Sequence, residues 1–116
     1  MTPINLAEKL KQFASHWDPH VVTQYNGNDV MVVKFQGEFP FHSHPDTDDF
    51  FLVIEGEMNM DLENETHTVK AGEIFVVPSG VVHRPRAQKE CKVLLIEPKG
   101  VPNTGDPETA ALKPHI

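Results

Sequence analysis

The sequence predicts an all-β protein, folded as an antiparallel sandwich or a small barrel. Short runs rich in β-branched and aromatic residues recur between residues 20 and 98, and turn signals such as Glu-Gly, Ala-Gly and Pro-Ser-Gly separate them. No helical period comes between these runs, which favours antiparallel pairing. The chain has 116 residues, enough for one core of ordinary size. We therefore treat residues 1–116 as a single domain.

The first 19 residues are predicted to form a short helix and a linker. Asn5 and Glu8, three residues apart, are typical of a helix N-terminus. Asp18-Pro19 is predicted to end the helix, because the residue before a proline disfavours the helical conformation. The apolar residues that would form its buried stripe, at the spacing i, i+4 and i+7, are Leu6, Leu10 and Phe13.

Residues 20–98 are predicted to form the barrel, and residues 99–116 a C-terminal arm on its surface. Asn26-Gly27 stands between the first two β-rich runs, and this pair supplies the positive φ angles of a tight hairpin turn. The arm is rich in proline and glycine, which is typical of irregular surface segments.

Composition and charge exclude several kinds of partner and setting. The net charge is −7, from 10 basic and 17 acidic side chains, which argues against binding to nucleic acids or anionic membranes. Cys91 is the single cysteine, so no internal disulfide is possible and a reducing, cytoplasmic setting is expected. No apolar run has the length of a signal-peptide core or a membrane span.

Three histidines and an aspartate form a candidate metal site. His42 and His44 alternate along an expected strand, so their side chains point to the same face. Asp49 follows five residues later. His83 comes just after a Pro-x-Gly turn, which can return a fourth ligand to the same place from another strand.

These residues resemble the two signature motifs of the cupin superfamily. The resemblance implies a jelly-roll barrel, also called a double-stranded β-helix, like those of small bacterial cupins similar to mannose-6-phosphate isomerase. It also implies one divalent transition metal, which could be Zn, Fe, Mn, Ni or Cu. The positions that match are His42, His44, Asp49 and Gly56 in the first motif and Gly72, Pro78, Gly80 and His83 in the second.

One departure from the motif leaves the ligand set open. The family places a glutamate where this chain has Asp49, whose side chain is shorter by one methylene group. Asp49 could bind the metal directly, act through a water molecule, or leave a site of three histidines. A second departure is Ala87, which stands where the second motif has an asparagine.

The strand pattern also predicts residues around the site. Phe51 and Val53 share the parity of Asp49 and could line the pocket, although filling the core is the alternative. Met60 belongs to an alternating strand and could form a pocket wall in the same way. Arg84 and Arg86 alternate with His83 and are expected to face away from the metal.

The function expected from the resemblance is metal-dependent catalysis on a small oxygenated molecule that chelates the metal. An isomerase, a dioxygenase and a lyase all fit this description, and no residue outside the ligands is identified as catalytic. A non-catalytic module that carries or senses a small molecule is the alternative, and a structural barrel with a vestigial site is a third reading. Exposed sheet edges and apolar outer strands also predict a homodimer.

Overall fold

The computed structural model describes all residues 1–116 and contains one short helix and seven strands. All strand pairings are antiparallel, which confirms the prediction of an all-β fold. The elements are α1 (Leu6–Leu10), β1 (His20–Tyr25), β2 (Asn28–Glu38), β3 (Asp49–Glu55), β4 (Glu57–Leu62), β5 (Thr66–Lys70), β6 (Ile74–Val77) and β7 (His83–Pro98).

Strand β7 is the centre of the fold. Its 16 residues pair with β2 on one side and, on the other, with β4 near its start and β3 near its end. Strand β6 extends the sheet beyond β3, β1 extends it beyond β2, and β5 pairs with β4. Because β7 pairs with β2 along one edge and with β3 and β4 along the other, the sheet wraps around a common interior.

The interior is filled from alternate positions of the strands. Every second residue of β7 is buried in its first and last parts, as expected for a strand with one face toward a core. Val53, Met60 and Val93 are completely inaccessible to solvent and belong to a single cluster of 14 buried residues. Cys91 lies in the same cluster and is completely buried.

Helix α1 begins as predicted but ends earlier than predicted. The side chain of Asn5 accepts a hydrogen bond from the backbone N–H of Glu8 at 3.0 Å, which caps the first turn. The helix ends at Leu10, well before Asp18-Pro19. Tertiary contacts explain the early end: the Phe13 ring stacks on buried His20 with ring centroids 3.8 Å apart.

The predicted hairpin joins β1 to β2. Asn26 and Gly27 have φ angles of 49° and 77°, which is the left-handed backbone that this tight turn requires. The turn therefore sets the pairing of the two strands, in which Tyr25 lies opposite Asn28.

The C-terminal arm, residues 99–116, does not project into solvent but returns to the barrel. The backbone N–H of Val21 donates to the carbonyl of Pro114 at 2.8 Å, and the N–H of Ile116 donates to the carbonyl of Val21 at 3.0 Å. The arm therefore covers the exposed edge of β1 with two backbone hydrogen bonds. Covering an edge strand in this way removes unpaired donors and acceptors that would otherwise attract another chain.

At the opposite end of the sheet, β6 remains an open edge. Ile74 and Val76 on this strand are 58% and 47% exposed. The homodimer stays a prediction, and this edge is where the unpaired backbone and the exposed apolar side chains coincide.

No helix of the protein has the length and apolar character needed to cross a membrane.

The packing of the arm can be tested with two glycine substitutions. Gly100 and Gly105 both have φ near 80–90°, so alanine at either site should cost about 1–2 kcal/mol of unfolding free energy. A Cβ at Gly105 would also overlap the backbone oxygen of Ser43, whereas a Cβ at Gly100 would meet no atom within 4 Å. We expect Gly105→Ala to be the more destabilising in denaturant titrations and to make the arm more sensitive to protease. Equal behaviour of the two variants would contradict the close packing of the arm on Ser43.

Candidate metal centre

Backbone hydrogen bonds join the two motifs that carry the histidines. The N–H of His42 donates to the carbonyl of His83 at 3.0 Å, and the N–H of His83 donates back to the carbonyl of His42 at 2.9 Å. The N–H of Gly80 donates to the carbonyl of His44 at 2.8 Å. The expected strand through His42 and His44 is absent, because His42 makes only this isolated bridge. Backbone hydrogen bonds between the two motifs, rather than a continuous strand, therefore hold His42 and His44 beside the segment that carries His83.

The four sequence-predicted ligands come together in one group. Each of them offers one nitrogen or oxygen atom, and these four atoms all lie within 4.8 Å of one another. Three of the side chains are buried and one is partly exposed. The group consists of His42, His44, Asp49 and His83.

Backbone carbonyls orient two of the imidazole rings. The Nδ1 atom of His42 lies 2.9 Å from the carbonyl oxygen of Pro40, and Nδ1 of His83 lies 2.9 Å from that of Val81. A carbonyl oxygen only accepts hydrogen bonds, so in both rings Nδ1 must be the protonated donor. The Nε2 atoms then face the centre of the group, which is the arrangement usual for metal-binding histidines.

Asp49 lies between two imidazoles despite its short side chain. Its Oδ2 atom is 2.8 Å from Nε2 of His83 and 3.3 Å from Nε2 of His44. Asp49 is the first residue of β3 and pairs with Val77 of β6. This position brings its backbone close to the histidines. The position of the strand thus compensates for the missing methylene group.

Burial and the buried carboxylate shift the acid–base properties of the group. Burial lowers the pKa of His42 to about 4. Burial also acts against protonation of His44, but Asp49 outweighs it and raises the pKa of His44 above its usual value. For Asp49, burial favours the neutral form, yet the adjacent His44 and His83 imidazoles outweigh it and hold its pKa well below the usual range.

The donor set fits a divalent transition metal. Nε2 of His44 and Oδ1 of Asp49 are buried and lack a hydrogen-bond partner, although buried polar atoms in proteins are almost always paired. A metal ion at the centre of the group would satisfy both atoms. Imidazole and carboxylate ligands are accepted by Zn, Fe, Mn, Ni and Cu.

A small cavity of about 30 Å³ opens beside the group. Trp17 stacks on Phe35 at a centroid distance of 4.4 Å and forms part of its wall. Phe51 lines the cavity as predicted, whereas Val53 and Met60 lie in the core and do not reach it. The lining residues are Trp17, Pro19, Val33, Phe35, Phe39, His42, Asp49, Phe51, Pro85, Leu95, Glu97 and Asn103.

Nine of the twelve lining residues were not predicted from the sequence, among them Glu97, Trp17 and Asn103. Glu97 is the last inward-facing residue of β7, and its parity with Val93 and Leu95 was the signal that could have found it. Burial, together with the nearby Asp49 carboxylate, raises the pKa of Glu97 to about 8. Trp17 and Asn103 lie outside the strands, where no periodic pattern points to the cavity.

A family model of the cupin domain matches residues 29–97. This chain is a member of the cupin family. The matched range includes both histidine motifs and the cavity residues of β2, β3 and β7. A crystal structure of a cupin-2 domain containing protein from Shewanella frigidimarina NCIMB 400 is similar to it, with 42% identity and a TM-score of 0.82. The similarity covers 83% of this chain and 94% of that chain.

Two curated relatives extend the comparison. The uncharacterized protein YdbB of Bacillus subtilis (strain 168) is 37% identical over 79 residues, which cover 67% of this chain and 70% of YdbB. The 3-hydroxyanthranilate 3,4-dioxygenase of Xanthomonas euvesicatoria pv. vesicatoria (strain 85-10) is 28% identical over 111 residues. That match covers 90% of this cupin and 63% of the dioxygenase, so this cupin spans less than two thirds of that relative's length.

Substitution of the histidines should remove the metal. We expect His44→Ala and His83→Ala to lower metal affinity by more than the roughly 10–100-fold that loss of an outer hydrogen-bond partner costs. Metal content after dialysis of tag-free protein, measured by inductively coupled plasma mass spectrometry, tests this expectation. His67→Ala is the matched control, because His67 is exposed on β5. Equal metal content in all four proteins would contradict the assignment.

Metal affinity should fall as the pH is lowered. The raised pKa of His44 means that a proton competes with the metal for this ring at higher pH than for an ordinary histidine. The lowered pKa of His42, about 4, means that proton competition at this ring begins only at much lower pH. Each displaced proton reduces the affinity about tenfold per pH unit below the pKa concerned. Competition with a chromophoric chelator between pH 8 and pH 5.5 measures this slope. Affinity that stays constant over this pH range would contradict it.

Proposed function

We propose that this cupin binds one divalent transition metal and acts as a metal-dependent dioxygenase on a small hydroxylated molecule. The observation that carries the proposal is the group of four ligand atoms within 4.8 Å beside a cavity with aromatic walls. The proposed ligands are His42, His44, Asp49 and His83.

The relatives favour a dioxygenase over the other reactions expected of the site. The match to the 3-hydroxyanthranilate 3,4-dioxygenase covers 90% of this chain. Histidine and carboxylate ligands with open coordination positions are also the ligand set of non-haem Fe(II) oxygenases. An isomerase acting on a sugar phosphate is less favoured, because no lysine or arginine lines the cavity to bind a phosphate.

The residues of the chain would orient the metal ligands and exclude water from the cavity. The carbonyls of Pro40 and Val81 hold two imidazole rings with Nε2 toward the centre. Trp17, Phe35 and Phe51 form apolar walls that exclude water and strengthen electrostatic interactions inside the cavity. The metal would supply Lewis acidity toward an oxygen atom of the ligand.

The cavity size favours a second candidate function. Its volume of about 30 Å³ holds about two water molecules, so a ring-sized ligand requires side chains at the mouth to move aside. One lining residue, Asn103, belongs to the C-terminal arm rather than to the strands. A site this closed would also serve a non-catalytic module that carries or senses a metal ion or a very small molecule.

Oxygen consumption separates the two candidates. Protein loaded with Fe(II) without oxygen is mixed with catechol or hydroquinone, and oxygen uptake is followed with an electrode. A dioxygenase consumes one O₂ per molecule of probe and places both labelled atoms of ¹⁸O₂ in the product. We expect His83→Ala to abolish the uptake and the exposed control His67→Ala to retain it. Binding of the probes without oxygen uptake would favour the carrier or sensor.

A further inference from the structure

His42 is the one candidate ligand that Asp49 does not hold. The Oδ2 atom of Asp49 lies 3.3 Å from Nε2 of His44 and 2.8 Å from Nε2 of His83, so these three side chains fix one another. The His42 ring makes its single hydrogen bond to the carbonyl of Pro40, within its own segment. It is also the only one of the four ligands that is not buried. The position of the His42 ring therefore depends on what holds the segment before it.

The backbone of this segment has few attachments to the barrel. Residues 39–41 belong to no strand, and their one backbone hydrogen bond runs from the N–H of Phe39 to the carbonyl of Pro85 at 3.1 Å. Pro40 has no N–H to donate, and Phe41 makes no backbone hydrogen bond. The last attachment before the histidine is therefore a contact of the Phe41 side chain.

Arg84 makes this contact on the outer face of β7. Its guanidinium lies over the Phe41 ring, with Cζ 4.5 Å from the ring centroid. The same guanidinium donates through Nη1 to Glu38 at 3.2 Å and through Nε to Asp61 at 2.9 Å. A guanidinium is planar, so its edge can donate to carboxylates while its face stacks on a ring. One side chain thus contacts the segment both before and after Pro40.

The contact lies directly beside the bridge between the two motifs. His42 and His83 face each other in an antiparallel bridge, and Phe41 and Arg84 are their immediate neighbours. We propose that Arg84 is a positioning residue of the metal centre, which fixes the His42 imidazole through its contact with Phe41. The inference rests on the proposed metal site and adds a residue on which that site depends. Ligands that are fixed before the metal arrives bind it more tightly than mobile ones.

A purely structural role for Arg84 predicts a different result. In that case Arg84 would act through Asp61, whose carboxylate also accepts a hydrogen bond from Nε of Arg86 at 2.7 Å. Arg84→Lys and Arg86→Lys would then behave alike, because each exchanges a planar donor to Asp61 for a flexible one. If Arg84 positions His42, only Arg84→Lys changes metal binding. Arg86→Lys is the matched control, because it keeps the charge and changes the same ion-pair network without touching Phe41.

The experiment titrates full-length, tag-free protein with Co(II) and records the visible ligand-field spectrum of the bound ion. Arg84→Lys keeps the positive charge but loses the planar stack, and Phe41→Leu keeps the apolar bulk but loses the π face. We expect either change to weaken Co(II) binding by about tenfold and to alter the spectrum. Arg86→Lys and the conservative Phe41→Tyr should match the wild-type protein. The double variant Phe41→Leu/Arg84→Lys should lose no more affinity than either single variant, because both changes remove the same contact.

Three results would overturn the inference while leaving the metal site intact. They are wild-type Co(II) binding by Phe41→Leu, equal weakening in Arg84→Lys and Arg86→Lys, and additive losses in the double variant. Phe41 is 50% exposed and outside the core, so Phe41→Leu tests the contact even where Arg84→Lys fails to fold. Failure of the wild-type protein to bind Co(II) would instead overturn the proposed function together with the inference.

Discussion

The contact of one buried carboxylate with two imidazoles is the interaction on which the site depends. Asp49 is 3% exposed, and an ionised carboxylate at that depth is stable only with hydrogen-bonding or charged partners. His44 and His83 supply those partners. Because the three side chains come from three separate segments, their contact also ties the loop before β3 to the start of β7. A metal bound to this group would therefore also help to hold the barrel closed.

Strand β7 carries both a candidate metal ligand and a buried carboxylate of the cavity. His83 is its first residue, and Glu97 is its second to last. The strand pairs with β2, β3 and β4, so the ladder fixes the separation of these two side chains. Its outward positions carry Arg84 and Arg86, which both pair with Asp61, and Arg84 also pairs with Glu38. Alternation along one strand thus keeps the cations away from the cavity while a carboxylate lines it.

Much of the site was predictable because its spacing is local. His42, His44 and Asp49 lie within eight residues, and the turn before His83 has a distinct sequence, so both motifs could be recognised without coordinates. Glu97 was missed although its parity was visible, because an acidic residue near a strand end more often faces solvent. The end of helix α1 was misplaced, because stacking of Phe13 on His20 depends on residues that are distant from the helix.

The sequence by itself determined most of the strands, though not the conformation around His42 and His44, and it determined the hairpin turn at Asn26-Gly27 and the identity of the four candidate ligands. These follow from side-chain alternation and from backbone angles that a few residue types prefer. Only the tertiary structure decided that Asp49 reaches the histidines, that Glu97 faces the cavity and that the arm closes against β1. Those outcomes depend on which strands lie side by side, and strand order is a property of long-range packing that no local pattern records.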